Sequence, residues 1–391
     1  MSRATLNKKH TTLAAALALA CALALVLGGC AAPDLAESTS TEQQAAASIS
    51  GTVTGDLQFG KAITSLDKED LDAVGIELGD SVDLSFSNGY SLTDVAYLSG
   101  YYLKKGSTLV VAYQGSGTVM ISKSSGDFWE PSGLADGDTV EISLNTKGKY
   151  LTTETNLSQK YSTDAADYAS EEAFANFRTL TGGSIKKDFL YRGASPVNDI
   201  YNRASTADDL MEQAGIEFEL DLADSAEEFV AFEQEEGFDS PCAASLYAAG
   251  CTTTLDMGVD YDDEDYKASL GEGLRQMVAN GGKTYIHCTE GKDRTGFVCC
   301  LLEALAGATP DEMRADYMQT YENYYGINAT DTPEAYELVV ANYFEPFLEE
   351  LSGTTGDALE SADYVAGAKA YLAECGLSDA EIEQLQAFIC E

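Results

Sequence analysis

A chain of 391 residues has length for about two or three domains, which excludes a small disulfide-stapled scaffold. Its 65 acidic residues against 23 basic ones set a formal charge of −42, a surface that repels nucleic acid and anionic headgroups, so any anionic substrate must be held by a local positive site. Apolar residues make up 45%, with 22 Tyr and 14 Phe, which excludes a disordered chain, and the two histidines, His10 and His287, are too few for a multi-histidine metal centre.

At the amino terminus, Arg3, Lys8 and Lys9 precede an apolar run from Leu13 to Leu27. The run falls short of the roughly 20 residues of a stable membrane anchor, so residues 1–29 are expected to be a signal peptide. Its end, Leu27-Gly28-Gly29-Cys30, resembles the bacterial lipoprotein signal. The resemblance implies lipidation of Cys30 and a protein anchored on the outer face of the bacterial cell membrane. Residues 30–50, rich in Ala, Ser, Thr and Gln, read as a flexible tether. Farther on, Cys242 with Cys251 and Cys375 with Cys390 are conceivable disulfides of an exported protein, with free thiols as the alternative.

Residues 51–155 carry short alternating runs separated by Gly, Asp and Asn turns: Gly51–Thr54, Ser81–Phe86, Thr108–Tyr113, Thr118–Ser122 and Thr139–Leu144. They predict an all-β accessory domain, a small barrel or sandwich. Gly79-Asp-Ser-Val-Asp-Leu-Ser-Phe86 returns as Gly137-Asp-Thr-Val-Glu-Ile-Ser-Leu144, the same turn feeding the same kind of strand.

The period changes in residues 165–391. Ile216–Leu222, Thr252–Met257 and Lys283–His287 read as strands, separated by helical stretches near Thr206–Ala214, Ser225–Glu236 and Asp263–Ala279. Strands alternating with helices predict an α/β domain with a central, mostly parallel sheet. Beyond Arg294 the pattern is helical almost to the end, with a cap and N1 proline at Thr309-Pro310 and a capping box at Ser378–Glu381.

The run His287-Cys288-Thr289-Glu290-Gly291-Lys292-Asp293-Arg294-Thr295-Gly296 follows a predicted strand and opens a predicted helix. That is the layout of an anion cradle, in which successive backbone amides wrap a phosphate at the positive end of a helix. Glycines at 291 and 296 permit tight turning and close packing. The spacing of Cys288 and Arg294 lets the planar guanidinium return over the sulfur and grip two phosphoryl oxygens. The same donors favour a nucleophilic thiolate at Cys288. Thr295 can donate to that sulfur when it departs, and His287 is read as orienting the loop, not as a base.

These ten residues resemble the cysteine-dependent phosphatase signature HCxxGxxR(S/T)G, and more narrowly the HCxxGKDRTG form of bacterial secreted tyrosine and phosphoinositide phosphatases. The resemblance extends to Asn176-Phe-Arg-Thr-Leu180 and Leu190-Tyr-Arg-Gly-Ala-Ser195 and covers roughly residues 170 to 391. It implies a cysteine-phosphatase fold and hydrolysis of phosphate monoesters through a phosphocysteine. Cys288 and Arg294 are then catalytic, Thr289, Glu290, Gly291, Lys292, Thr295 and Gly296 bind phosphate, and no metal or organic cofactor takes part. The family often has Asp-Leu-Arg where this chain has Asp221-Leu222-Ala223.

The general acid is open. The only tryptophan, Trp129, lies in the β-rich half, so no Trp-Pro-Asp loop is present. The resemblance points to Asp293 inside the cradle, and Asp260, Asp262 and Asp263, just past the strand that ends near Met257, are the alternatives. Lys292 suits a substrate with more charge than one phosphate. The expected substrates are accordingly a phosphorylated protein, through phosphotyrosine, and a phosphoinositide or inositol phosphate, with Arg192, Arg203 and Lys267 as candidate extra contacts. A phytase-like inositol-phosphate hydrolase, a noncatalytic surface phospho-ligand binding protein and a rhodanese-like sulfurtransferase are the other readings. Nucleic acid is not an expected partner.

Overall fold

The computed structural model describes residues 47–57, 59–113 and 117–391. The signal peptide, Cys30 and the tether as far as residue 46 lie outside the described residues. The last residues assigned to the tether are already strand, because β1 begins at Ser48.

Seven strands close into a barrel: β1 (Ser48–Asp56), β2 (Lys61–Asp67), β3 (Ser81–Phe86), β4 (Ser91–Leu98), β5 (Thr108–Ala112), β6 (Thr118–Lys123) and β7 (Thr139–Thr146). Around the barrel the order is β1-β2-β6-β5-β4-β3-β7, antiparallel except for β4 with β5. Alternation decides the inside: Val82, Leu84 and Phe86 of β3 and Val140 and Ile142 of β7 are buried, while Ser85 of β3 and Thr139 and Glu141 of β7 are exposed. The two echoing segments are β3 and β7, and they pair directly, Val82 against Leu144 and Leu84 against Ile142. Strands β2 and β4 escape the sequence pattern, since polar residues interrupt their alternation. The module is not purely β: α1 (Lys68–Ala73) and the single turn α2 (Trp129–Ser132) interrupt it, and α3 (Leu151–Leu157) leaves it. Asp67 and Asp70 form a capping box that starts α1.

The second half is built on a five-stranded sheet of order β11-β10-β12-β9-β8, comprising β8 (Arg178–Thr179), β9 (Leu190–Gly193), β10 (Phe218–Asp221), β11 (Thr252–Thr254) and β12 (Thr284–His287). β9 to β12 run parallel and β8 is an antiparallel edge. One register row carries Gly193, His287, Asp221 and Thr254 across the carboxyl ends of the four parallel strands. The loops that leave this edge converge, as ligand-binding loops do in open α/β sheets.

Helices cover both faces. After α4 (Glu171–Phe174) come α5 (Ala204–Ala214), α6 (Ala226–Glu233) and α7 (Pro241–Ala249), and Ala207 and Met211 of α5 pack with Tyr191 and Tyr285 on one side. On the other side α8 (Glu264–Asn280) and α9 (Asp293–Leu305) share a large core. Helix α9 is buried all round from Thr295 to Leu305, a run apolar apart from Thr295 and Glu303. The helical end of the chain wraps it: α10 (Pro310–Tyr325), α11 (Pro333–Val339), a π turn at Val340–Phe344, α12 (Glu345–Ser352), α13 (Tyr364–Glu374) and α14 (Asp379–Ile389). The expected caps are present, Thr309 with Glu312 on α10 and Ser378 with Glu381 on α14.

The barrel rests on the α/β half through specific contacts. The Tyr343 hydroxyl donates to the Tyr101 carbonyl at 3.1 Å, and the Lys104 amide donates to Asn342 Oδ1 at 3.2 Å. The disulfides considered from the sequence do not form: Cys242, Cys251, Cys375 and Cys390 are all free thiols.

Candidate active site

β12 delivers His287 and Cys288 to the carboxyl edge of the sheet, and α9 begins five residues later at Asp293. Cys288 is 3% exposed. The loop between them is held by its carbonyls. Thr289 O accepts from the Ser195 amide at 3.2 Å, and Glu290 O accepts from the Tyr324 hydroxyl at 2.7 Å. Gly291 O accepts from Arg192 Nη2 at 2.8 Å and from Asn176 Nδ2 at 3.1 Å. The amides of Thr289 to Arg294 donate to no protein acceptor among the described residues. With each carbonyl tied outward, the unspent amides are left for an anion, and the first turn of α9 adds the positive end of its dipole.

Gly291 is required for this path. Its φ is +67°, and a Cβ there would sit 2.1 Å from the Gly193 carbonyl oxygen. At Gly296 a Cβ would lie 2.7 Å from the Tyr317 ring, so this glycine lets α9 pack against α10. Arg294 bends back over the loop as its spacing predicts: Nη2 donates to the Thr289 hydroxyl at 3.3 Å and Nη1 to the Met257 carbonyl at 3.0 Å. The Thr295 hydroxyl is fully buried and has no partner, which suits a donor reserved for a reacting group.

Behind the loop lies a buried ionic frame. His287 Nε2 is 2.9 Å from Glu219 Oε1, and Asp221 and Asp224 are the other carboxylates around it. Burial disfavours the imidazolium, but Asp221 and Glu219 overcome it and push the His287 pKa up to about 9. His287 is thus a cation holding the strand ends together. Asp221, its carboxyl raised by burial, accepts at Oδ1 from the Ala223 and Asp224 amides.

Three cations considered as substrate contacts are structural. Arg192 is fully buried and pairs with Asp316, which also binds Arg178 at 2.7 Å. Arg203 donates to the Phe174 carbonyl at 2.7 Å and lies under the rings of Tyr324 and Tyr161. Lys267 pairs with Glu374 at 2.7 Å. Arg192 still serves the site, through the Gly291 carbonyl.

The acid candidates separate. Asp263 is spent capping α8, accepting from the Asp265 and Tyr266 amides. Asp262 is held below the usual carboxylate range by a hydrogen bond from Glu350 and by Lys105 of the barrel, and Asp260 pairs with the same lysine at 2.7 Å. Asp293 opens into the cleft, where desolvation raises its carboxyl against the pull of Lys292, 3.8 Å away. Lys292 also pairs with Glu290 at 3.2 Å. Glu290 in turn accepts from the Tyr161 hydroxyl, a residue that nothing in the sequence pattern marked.

Lys292, Asp293 and Arg294 open onto a cavity of about 780 Å³, within the range of ligand sites. Its walls are rich in aromatic rings, Tyr261, Phe297 and Tyr325 from the catalytic half and Phe59, Tyr101 and Tyr102 from the barrel. The barrel therefore forms part of the cleft, which the sequence alone did not reveal.

The model of the tyrosine phosphatase family matches residues 172–391, more than half of the chain. A curated relative, "Putative tyrosine-protein phosphatase H16_A0669" of Cupriavidus necator, is 45% identical over 54 residues, 14% of this chain and 20% of its own. The chain thus spans about a fifth of the length of the curated relative it matches. Among solved structures, an uncharacterized conserved protein from Thermotoga maritima is 20% identical over 24% of this chain and 35% of that one, with a TM-score of 0.22. The matched region holds the whole Cys288–Arg294 loop, and on the extent of that match the chain belongs to the tyrosine phosphatase family.

Proposed function

We propose that the protein is a cysteine-dependent phosphatase acting on phosphate monoesters, phosphotyrosine or phosphoinositide, through a phosphocysteine. The observation that carries the reading is the loop itself: buried Cys288, returning Arg294, and amides from Thr289 to Arg294 without protein acceptors. Cys288 Sγ attacks phosphorus, an S–P bond forms and the bond to the leaving oxygen breaks. Asp293 gives that oxygen its proton, and Arg294 with the amides holds the equatorial oxygens as charge redistributes. Water then attacks the phosphocysteine and returns a proton to Asp293. The sulfur leaves as thiolate, and the Thr295 hydroxyl is the donor placed to meet it.

Family membership implies a phosphorylated substrate. The lipoprotein signal ending at Cys30 supports the further proposal that the enzyme is tethered outside the cell membrane, with the barrel as an accessory domain. Replacing Cys288 with Ser is expected to abolish phosphate release from phenyl phosphate while leaving the fold intact by circular dichroism. Retained turnover in that variant would refute the mechanism. Phosphate-analogue binding without turnover in the unmodified protein would instead favour a noncatalytic phospho-ligand binder.

A further inference from the structure

Arg203 stands immediately before α5 and is 1% exposed. Of the other arginines described, Arg178, Arg192, Arg275 and Arg314 pair with carboxylates, and Arg294 lies in the cradle. Arg203 makes no ion pair among the described residues. A buried guanidinium without a counter-ion is costly unless other groups solvate it. Here those groups are carbonyls and rings. Nε donates to the Phe174 carbonyl at 2.7 Å, and Nη2 donates to the Ser162 carbonyl at 3.3 Å and the Tyr168 hydroxyl at 3.0 Å. The rings of Tyr324 and Tyr161 lie 4.4 and 4.6 Å from the guanidinium carbon, with Phe174 at 5.1 Å, Tyr201 at 5.6 Å and Tyr168 at 5.8 Å around them.

The two nearest rings end in hydroxyls that hold one loop residue. Tyr161 donates to the Glu290 carboxylate, and Tyr324 donates to the Glu290 carbonyl at 2.7 Å. The rings themselves are 5.1 Å apart, so Arg203, Tyr161 and Tyr324 form a close triangle. Its corners come from three segments: the stretch that follows the barrel, the start of α5 and the last turn of α10. Beyond it, Glu290 meets Lys292 at 3.2 Å. Desolvation raises the Glu290 carboxyl, but Lys292, the Tyr161 hydroxyl and Arg203 together bring it below the usual carboxylate range. Arg203 makes no hydrogen bond to the cradle and does not line the catalytic cavity among the described residues. Any influence it has on the reaction passes through the two tyrosines and Glu290.

We propose that Arg203 is a positioning residue for the cradle: packed against the Tyr161 and Tyr324 rings, it aims both hydroxyls at Glu290 and so fixes the loop that carries Cys288 and Arg294. The proposal rests on the phosphatase reading. It gives the reaction a residue that touches no substrate, and it ties the segment following the barrel to the shape of the loop.

The test is a double-mutant cycle in the full chain, reading kcat/KM for phenyl phosphate and stability to urea in Arg203→Met, Tyr161→Phe and the pair. Arg203→Met is expected to lower kcat/KM about 10²-fold, the scale of a displaced site. In the Tyr161→Phe background it should cost only about tenfold, because part of its effect runs through the hydroxyl already removed. Leu210→Ala, which opens a cavity under the same helix, should lower stability and leave kcat/KM unchanged. An unchanged kcat/KM in Arg203→Met, an equal fall in both backgrounds, or the same fall in Leu210→Ala overturns the proposal. Should Arg203→Met not fold, Arg203→Lys, which keeps a cation but not the planar fork, takes its place in the cycle under the same criteria. If the wild type releases no phosphate, the phosphatase reading fails, and alkylation of Cys288 decides the positioning separately. Its rate with iodoacetate relative to iodoacetamide, followed by peptide mapping, reads how well the loop holds an anion beside the sulfur. A ratio about tenfold lower in the Arg203 variant sustains the proposal there, and an unchanged ratio overturns it.

Discussion

The Lys105 ammonium of the barrel lies 2.7 Å from the Asp260 carboxylate on the segment after β11, and its nitrogen stands 4.2 Å above the Tyr261 ring. One side chain thus ties the accessory domain to the segment that carries three of the four acid candidates. Asp293 also neighbours a lysine, Lys292 at 3.8 Å, but desolvation outweighs it and raises the carboxyl, and the residue stands next to Arg294 at the start of α9. Asp293→Asn is expected to slow turnover by about 10²- to 10⁴-fold, most on esters with poor leaving groups. Asp260→Asn should lose far less, with no such dependence. A leaving-group series on both variants checks this, and a steeper dependence in Asp260→Asn would reverse the assignment.

Gly291 and Gly193 meet so closely that the loop has no room for a methyl group. Gly291→Ala places a Cβ against the Gly193 carbonyl and forces an L-residue to hold a φ of +67°. The loop must shift, and displacement of this size in a positioned site costs about 10²-fold in rate. Steady-state kinetics with orthovanadate binding as a second readout would show both falling together. Normal vanadate affinity in this variant would mean that the loop closes by another path.

Tyr161 lies before the family match, which begins at residue 172, yet its hydroxyl bonds Glu290 within the loop. Glu290 pairs with Lys292, so the tyrosine orients both through one carboxylate. Tyr161→Phe leaves the half-buried Glu290 carboxylate short of a donor and is expected to lower kcat/KM by about tenfold, the scale of one hydrogen bond to a charged group. A chain starting at residue 172 should lose more, because it lacks Tyr161 and the barrel wall. Full activity in that truncated chain would show the contact to be incidental.

His287 titrates upward, from 6.5 to about 9, so the folded protein binds a proton that the unfolded chain releases between those values. The stabilisation is present in full below pH 6.5 and is lost as pH rises through about 9. Urea unfolding at a series of pH values across that window should show stability falling with pH. In Glu219→Gln, which removes one of the carboxylates that raise His287, the fall should be shallower. An identical slope in the two proteins would mean that His287 is not the titrating group.

Much of the catalytic half was legible because its signals are local. The alternation of strand and helix from Ile216 to Ala279 corresponds to β10, α6, β11 and α8 within a few residues, though α7 was not read from it, and the caps at Thr309 and Ser378 are where their side-chain oxygens require. In the barrel, β2 and β4 were hidden because Thr64 and Ser65, or Thr93 and Asp94, break the apolar alternation that marks a half-buried strand. The structural part of Arg192 and Arg203, which the sequence offers only as candidate contacts, was hidden for a different reason. A cation's role depends on what surrounds it, and Asp316 and the ring of Tyr324 arrive from α10, more than a hundred residues away.

The sequence by itself determined the cradle loop, since ten consecutive residues hold Cys288, the Arg294 guanidinium, the two glycines and the start of α9. Their geometry follows from one strand, one turn and one helix. Tertiary structure alone decided what surrounds that loop: which carbonyls are tied back, which aspartates lie beside Lys105 and which beside Lys292, and that Lys61, Lys105 and Lys123 of the barrel border the same cavity. Backbone conformation is set by near neighbours, whereas pairing, desolvation and cavity walls arise only where distant segments pack together.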